Sequence, residues 1–150
     1  MSFHRITNVL LLTEPQRLSS SSEKKHIGGE KMEQATITIK KIVSGIEFSG
    51  NNIYIGRKNK KHGVERSPLA NRFPIAGSTR EESVAKYRLW LWDQIVDEDK
   101  AVLGELSRIW QMSQRVEEIN LYCYCAPLLC HGEIIRSCLE WMEENSKHQA

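Results

Sequence analysis

Ile119-Asn120-Leu121-Tyr122-Cys123-Tyr124-Cys125, followed by Ala126-Pro127-Leu128-Leu129-Cys130-His131-Gly132, is the stretch that decides the fold of this chain. In its first half, apolar or thiol side chains alternate with polar or tyrosyl ones, which is the period of a β-strand. In the residues from about Cys130 to Glu144, apolar side chains recur at helical spacing. A strand that leads into a helix is the building unit of α/β folds.

Two more strands and two more helices are predicted upstream of this unit. Strands are indicated for residues 36–43 and 53–55. Thr79 and Glu82 have the spacing of a capping box, which predicts a helix from that point, and a second helix is predicted over roughly 100–116. The order of elements predicts a small three-layer α/β domain with a largely parallel, Rossmann-like sheet. In such sheets a ligand binds at the carboxyl ends of the strands.

A long loop is predicted over residues 57–78, and long loops inside compact domains are commonly functional. Residues 56–80 carry a net charge of +6, whereas residues 81–150 carry −6. A basic loop on an acidic body predicts an anionic ligand such as phosphate, a nucleotide or nucleic acid. For three of its lysines the alternative is plain solvation: Lys58, Lys60 and Lys61.

The first 35 residues differ in composition from the rest and are set apart from the domain at 36–146. A serine run at 19–22 and a polar, glycine-containing stretch are typical of a flexible tail. The codons of Gly28-Gly29-Glu30-Lys31 can also contain a purine-rich ribosome-binding sequence. The second hypothesis is therefore that residues 1–31 are a non-native extension and that translation starts at Met32.

The composition favours a cytoplasmic protein with reduced thiols. No apolar stretch approaches the roughly 20 residues that span a bilayer, so no membrane partner is expected. Four cysteines, mostly clustered, are too few for a disulfide framework. They are therefore interpreted as thiols or as metal ligands.

The cysteine motif, spaced C-x-C-x4-C-H, allows three interpretations. In the first it is a metal site, because thiolates and imidazole are the ligands that zinc prefers. The four ligands would be Cys123, Cys125, Cys130 and His131. Zinc is the one cofactor that the sequence suggests.

The second interpretation is a reactive centre at the start of the last helix. There Cys130 would be stabilised as a thiolate by helix amides, and His131 would act as an acid or base or bind phosphate. The third is purely structural: Cys123 and Cys125 are small buried hydrophobes, as is Cys138, and Cys130 packs where the helix begins.

With these motifs located, the chain resembles the family catalogued as domain of unknown function 4326, whose members are short bacterial and phage proteins. The resemblance covers about 39–140 and rests on five segments. They are Ile53-Tyr54-Ile55-Gly56-Arg57, Ser67-Pro68-Leu69-Ala70-Asn71-Arg72-Phe73, Thr79-Arg80-Glu81-Glu82 leading to Tyr87-Arg88-Leu89-Trp90-Leu91, Cys123-Tyr124-Cys125-Ala126-Pro127 and Cys130-His131-Gly132. The chain departs from the family at Ala70-Asn71-Arg72-Phe73, where members usually read Gly-Asn-Pro-Phe, and its segment from Arg57 to Ser67 is longer and more basic.

The resemblance implies one compact domain and a start near Met32, but it implies no reaction. Its pattern singles out six polar residues: Arg57, Asn71, Arg80, Cys125, Cys130 and His131. The function expected from the sequence is binding of a phosphate-bearing ligand, either a nucleotide or a nucleic-acid end. In a second form of this expectation, the chain also processes the ligand. Arg57, Asn71 and Arg80 would hold the anion, with Cys130 and His131 as catalytic residues. The alternative is a non-enzymatic module that binds nucleic acid or is stabilised by zinc.

Overall fold

The computed structural model describes residues 34–126 and 128–148. Within them the elements run in the order strand, strand, two helices, strand, helix. The strands are β1 (Thr36–Lys41), β2 (Asn52–Tyr54) and β3 (Glu118–Cys123). The helices are α1 (Arg80–Val96), α2 (Lys100–Ser113) and α3 (Gly132–His148), and a short 3-10 helix spans Lys60–His62. Residues 1–33 of the predicted tail, with the alternative start at Met32, lie outside the described residues, whereas its last two residues, Gln34 and Ala35, are described and buried.

The three strands form one parallel sheet in the order β1-β3-β2. Strand β3 is therefore central, which explains why both of its faces are buried after Glu118. Ile39 and Ile53 both pair with Leu121, so the three side chains point to the same face. The parallel arrangement brings the carboxyl ends of β2 and β3 together at one edge of the sheet, and the small α/β class with a parallel sheet is confirmed.

The described helices share one hydrophobic cluster with one face of the sheet. The sheet residues of that cluster are Ala35, Ile37, Ile53, Ile55, Ile119, Leu121 and Cys123, with Ile39 packed against it. The opposite face is covered differently, by Phe48 from the loop between β1 and β2. Its ring packs on Tyr54 and Tyr122, with centroid distances of 5.4 and 5.5 Å. Among the described residues the layer on that side is therefore a loop, where the predicted three-layer arrangement would have a helix.

The element boundaries follow the predictions closely, and the differences have local causes. Helix α1 begins after Thr79, and both hydrogen bonds of the Thr79–Glu82 capping box are present. Strand β3 ends at Cys123, two residues before the predicted end, because its neighbours end there: Lys41 is the partner of Cys123 and Tyr54 that of Tyr122. Cys125 therefore lies beyond the sheet.

Helix α3 begins at Gly132, in close contact with the sheet. A Cβ atom at this position would lie 3.1 Å from two side-chain atoms of Ile39 and 3.1 Å from Cδ1 of Ile55. The absence of a side chain thus lets the first turn of α3 rest directly on β1 and on the end of β2. This contact positions the helix N-terminus at the carboxyl edge of the sheet.

We expect Gly132→Ala to destabilise the fold by about 1–3 kcal/mol, because the added methyl group overpacks the contact with two isoleucines. The matched control is Gly104→Ala in the exposed middle of α2, where an added Cβ meets no atom of the described residues within 4 Å. Helix propensity there favours alanine by up to about 1 kcal/mol. Urea unfolding of both variants checks the prediction, and a Gly132→Ala protein as stable as Gly104→Ala would contradict it.

Candidate functional site

A cleft opens at the carboxyl edge of the sheet, between the ends of β2 and β3. Its volume is about 310 Å³. One part of its lining is polar and contains Arg57, Lys58, Asn59, Asn71, Cys125 and His131. The other part is aromatic or apolar and contains Tyr54, Phe73, Pro74, Ile75 and Tyr124. The lining therefore combines cationic and thiol groups with aromatic and apolar surface.

The loop over residues 57–78 is fastened to α1 through Asn71. The Asn71 side chain donates from Nδ2 to Ser83 Oγ at 2.9 Å and accepts from the Phe73 amide at 3.0 Å. Ser83, which is buried, donates in turn to the Phe73 carbonyl at 2.6 Å. Both ends of the Asn71 amide are thus engaged by protein groups, so this side chain shapes the wall of the cleft.

Arg57 directly follows the end of β2 and is held at the cleft by the same loop. Its Nε donates to the Asn71 carbonyl at 2.6 Å. The Arg57 carbonyl accepts from the Tyr54 hydroxyl at 2.5 Å. No described protein group bonds Nη1 or Nη2 of Arg57. The exposed guanidinium is thus held in place through Nε and has two further nitrogen atoms available to a ligand.

Cys125 is half-buried between two guanidinium groups. A hydrogen bond from Cys130, together with a hydrogen bond and charge attraction from Arg80 and the charge of Arg57, lowers the pKa of Cys125 to about 6, although partial burial opposes the change. Arg80 is the first residue of α1, and its Nη1 is buried without a hydrogen-bond partner among the described residues. These neighbours therefore favour the thiolate form of Cys125 at neutral pH.

Cys130 lies behind Cys125, buried from solvent, and contacts both other thiols of the motif. Its Sγ is 2.8 Å from Cys123 Sγ, a contact in which either thiol can be the donor, and it is also hydrogen-bonded with Cys125. These two hydrogen bonds and burial raise the pKa of Cys130, although the Gly132 amide donates to it at 3.4 Å. Cys130 is therefore the last thiol of the cluster to lose its proton, and the hydrogen bond with Cys130 lowers the pKa of Cys123.

His131 joins the start of α3 to the end of β2. Its Nε2 donates to the Ile55 carbonyl at 2.7 Å, and Nδ1 faces Cys130 Sγ at 3.4 Å. The ring of Tyr87 packs against it edge-on, with centroids 4.9 Å apart. Burial lowers the pKa of His131 to about 4, with a smaller contribution from the charge of Arg57, whereas the hydrogen bond to Ile55 opposes the change. The imidazole is thus neutral at physiological pH.

The geometry of the motif differs from that of a loaded zinc site. Within residues 34–126 and 128–148, no group of three or more histidine, cysteine or acidic residues has an arrangement that could hold a metal ion. Two thiolates on one zinc ion lie roughly 3.8 Å apart when each Zn–S bond is about 2.3 Å, but Cys123 Sγ and Cys130 Sγ are 2.8 Å apart. Zinc binding by Cys123, Cys125, Cys130 and His131 stays a prediction, which the metal content of the protein tests.

The structure brings all six residues singled out by the sequence to one region, but the surroundings of several of them differ from those predicted. Arg57 and Arg80 flank Cys125, and Asn71 is engaged by protein groups. The largest change concerns the predicted thiolate: the environment of Cys130 holds its proton, while Cys125 loses one. The helix amide donates to Cys130 as predicted, but burial and two neighbouring sulfur atoms outweigh it.

The aromatic wall was not identified from the sequence. Tyr54 and Phe73 flank the cleft from β2 and from the loop, and Tyr124, 66% exposed, from the turn after β3. Tyr54 is the last residue of β2 and Tyr124 directly follows β3, at the edge of the sheet where a ligand is expected. Their positions at the strand ends could have identified them from the sequence. Phe73 offered no comparable signal, because its position depends on the fold of the loop.

The rest of the basic loop is mostly exposed. Lys58 pairs with Glu65 at 3.2 Å, and both side chains are largely in solvent. Lys60 and Lys61 lie on the short 3-10 helix, without buried residues. The guanidinium of Arg72 stacks over Trp90 at 4.6 Å from the ring centroid. Arg57 and Arg80 are thus the cations of this segment whose charges act on the thiol at the cleft.

The fold and site together define a small α/β domain with a parallel sheet and a polar cleft at its carboxyl edge. In the part of the chain that the structure describes, no helix is long and apolar enough to cross a membrane. The chain belongs to the family described as Domain of unknown function (DUF4326), whose model matches residues 25–141. No curated protein and no solved structure matches the chain significantly.

Proposed function

We propose that the chain binds a phosphate-bearing ligand, a nucleotide or a nucleic-acid end, in the cleft at the carboxyl edge of the sheet. The observation that carries the proposal is the approach of two guanidinium groups, Arg57 and Arg80, to Cys125 at the polar side of a cleft with an aromatic wall. Each side of the cleft matches one part of such a ligand.

The polar side supports binding of the anion. Guanidinium groups recognise phosphate through paired N–H donors, and a bidentate geometry adds specificity. Nη1 of Arg80 is buried without a partner among the described residues, and leaving a charged donor unpaired is costly. A phosphate oxygen would bond the outer nitrogen atoms of Arg57, which lines the cleft, and Arg80 would contribute its charge from its place beside Cys125.

The aromatic part of the lining supports binding of a planar, weakly polar group. Tyr54, Phe73 and Tyr124 present aromatic surface to the cleft. Stacking of a nucleobase on an aromatic side chain contributes about 1–3 kcal/mol, with little dependence on the base. A volume of about 310 Å³ lies at the lower end of small-ligand pockets, so a single nucleotide or one strand end fits better than a duplex.

Processing of the ligand would take place at the thiol side. Cys125 lines the cleft and would touch the ligand. Of the predicted catalytic residues, Cys130 would act from behind Cys125 as a proton donor to sulfur, and His131, which also lines the cleft, would act through its neutral ring.

The proposal predicts that Arg57→Ala and Arg80→Ala each weaken binding of a nucleotide by roughly 10- to 100-fold, the range for loss of a charge-assisted hydrogen bond. Arg115→Ala is the matched control, since Arg115 is exposed and lies just before β3, at the opposite edge of the sheet. Titration calorimetry with nucleoside mono-, di- and triphosphates and a 5′-phosphorylated single-stranded oligonucleotide measures the effect. Absence of saturable binding to every member of this panel would overturn the proposal.

The alternative, a non-enzymatic module that grips nucleic acid, is favoured by the exposed lysines Lys58, Lys60 and Lys61. A protein that neutralises several phosphates loses affinity steeply as salt rises, because counterions are released on binding. If oligonucleotide binding weakens steeply as salt rises and is unchanged in Arg80→Ala, the non-enzymatic module is favoured over ligand binding in the cleft. A protein purified with one zinc ion per chain would favour the zinc-stabilised form of the alternative.

A further inference from the structure

Three thiols of the motif form a connected series that leads from the cleft into the core. Cys125 is at the cleft and half-buried, Cys130 is buried behind it and bonded to it, and Cys123 lies 2.8 Å from Cys130, sulfur to sulfur. Cys130 is the member that contacts both of the others. Neither phosphate binding nor the zinc interpretation accounts for a sulfur–sulfur approach of this kind.

The geometry of the series suits thiol oxidation chemistry. Cys125 lines the cleft and is the one of the three thiols that is not buried, so a small oxidant reaches it first. Cys130 is buried, and its Sγ lies 2.8 Å from that of Cys123. An accessible cysteine with a second cysteine beside it is the arrangement of a peroxide-reactive cysteine with its resolving cysteine.

We propose that Cys125, Cys130 and Cys123 form a redox site, in which Cys125 reacts with a hydroperoxide and Cys130 resolves the product as a disulfide. In the first step the Cys125 thiolate attacks the outer oxygen of the peroxide. An S–O bond forms, the O–O bond breaks, and the leaving alkoxide or hydroxide takes a proton from solvent. Cys125 becomes a sulfenic acid and the peroxide is reduced by two electrons.

In the second step the sulfur of Cys130 attacks the Cys125 sulfenic acid. An S–S bond forms, the S–O bond breaks, and the thiol proton of Cys130 leaves with the hydroxide as water. Cys123 can then exchange with this disulfide: its thiolate attacks Cys130, and the Cys125 thiolate is released. The oxidising equivalent thereby moves to a buried Cys123–Cys130 disulfide, and Cys125 is free again at the cleft.

The chain contains its own reference thiol. Cys138 is fully buried on α3, and burial raises its pKa to about 12. Cys138 is also a cysteine and meets the same oxidant in the same sample, but its surroundings differ from those of the motif. Oxidation specific to the site should therefore leave Cys138 reduced.

The test exposes the reduced full chain to one equivalent of hydrogen peroxide, traps free thiols with N-ethylmaleimide and maps the products by mass spectrometry. Trypsin releases residues 116–136 as one peptide with all three thiols and separates them from Cys138. Chymotryptic cleavage after Tyr122, Tyr124 and Leu129 then assigns the partners. We expect one disulfide within 116–136, with Cys138 alkylated.

Three variants dissect the series, each first checked for folding by circular dichroism. Cys125→Ser should slow oxidation at least about tenfold, because the reactive thiolate is absent. Cys130→Ser should leave a sulfenic acid on Cys125 that dimedone captures, and Cys123→Ser should stop at the Cys125–Cys130 disulfide. Oxidation of Cys138 as fast as the motif, disulfide formation unaffected in Cys125→Ser, or one zinc ion per purified chain would each overturn the proposal. The wild-type map decides the matter even if a variant fails to fold.

Discussion

Alkylation of Cys125 by iodoacetamide in the folded protein should titrate with a midpoint near pH 6, because neighbouring groups lower the pKa of this thiol to about 6. An ordinary cysteine titrates near pH 8.5. At pH 7 about nine tenths of Cys125 would thus be thiolate, against a few per cent of an unperturbed thiol. The chymotryptic peptide that begins at Cys125 reports this residue separately from Cys123 and Cys130.

Substitution of Arg80 and Arg57 tests whether these residues cause the low pKa of Cys125. Arg80→Ala removes both a hydrogen bond and a positive charge from the thiolate, so the midpoint should rise towards that of a free thiol. Arg57→Ala removes only a charge and should raise the midpoint less. Arg115→Ala, at the opposite edge of the sheet, should leave it unchanged. A wild-type midpoint above pH 8, or equal midpoints in wild type and Arg80→Ala, would contradict the site described above.

Stability against unfolding should fall by about 3 kcal/mol as the pH drops from 6.5 to 4, on account of His131 alone. The pKa of this imidazole is about 4 in the folded protein and near 6.5 when unfolded. Between these values the unfolded chain binds the proton and the folded chain does not, so acid favours unfolding. The stabilisation is complete above pH 6.5 and is lost once the pH reaches 4.

His131→Gln is the control, since its amide can still donate to the Ile55 carbonyl but does not titrate. Urea unfolding at intervals between pH 7 and pH 4 should show a shallower decline for the variant than for wild type. The difference between the two slopes isolates His131 from the carboxylates and from Cys125, which both proteins share. Parallel declines would contradict a neutral, buried His131.

Local patterns in the sequence were enough to predict the elements and the edge of the sheet. The alternation before Cys123 predicted β3, and the Thr79–Glu82 pair predicted the start of α1, because each depends on residues close in the chain. The parallel sheet followed from the order of elements, and it in turn placed Arg57 and the cysteine motif at one edge.

The roles of individual side chains depend on contacts between distant residues, and sequence reasoning could not resolve them. Cys130 was the predicted thiolate because it lies near a helix N-terminus, but its protonation is decided by Cys123 and Cys125 in a buried cluster. Cys125 owes its low pKa first to its hydrogen bond with Cys130 and then to Arg80, 45 positions away along the chain. Asn71 was assigned to a ligand, whereas Ser83 and Phe73 use both ends of its amide.

The central claim is that a phosphate-bearing ligand occupies the cleft beside Cys125. The most direct measurement is the rate at which iodoacetamide modifies Cys125 at pH 7, with and without a saturating concentration of the tightest-binding nucleotide from the panel. We expect the nucleotide to protect Cys125 in wild type and not in Arg80→Ala at the same concentration. A Cys125 alkylation rate in wild type that is unchanged by saturating nucleotide would contradict the account.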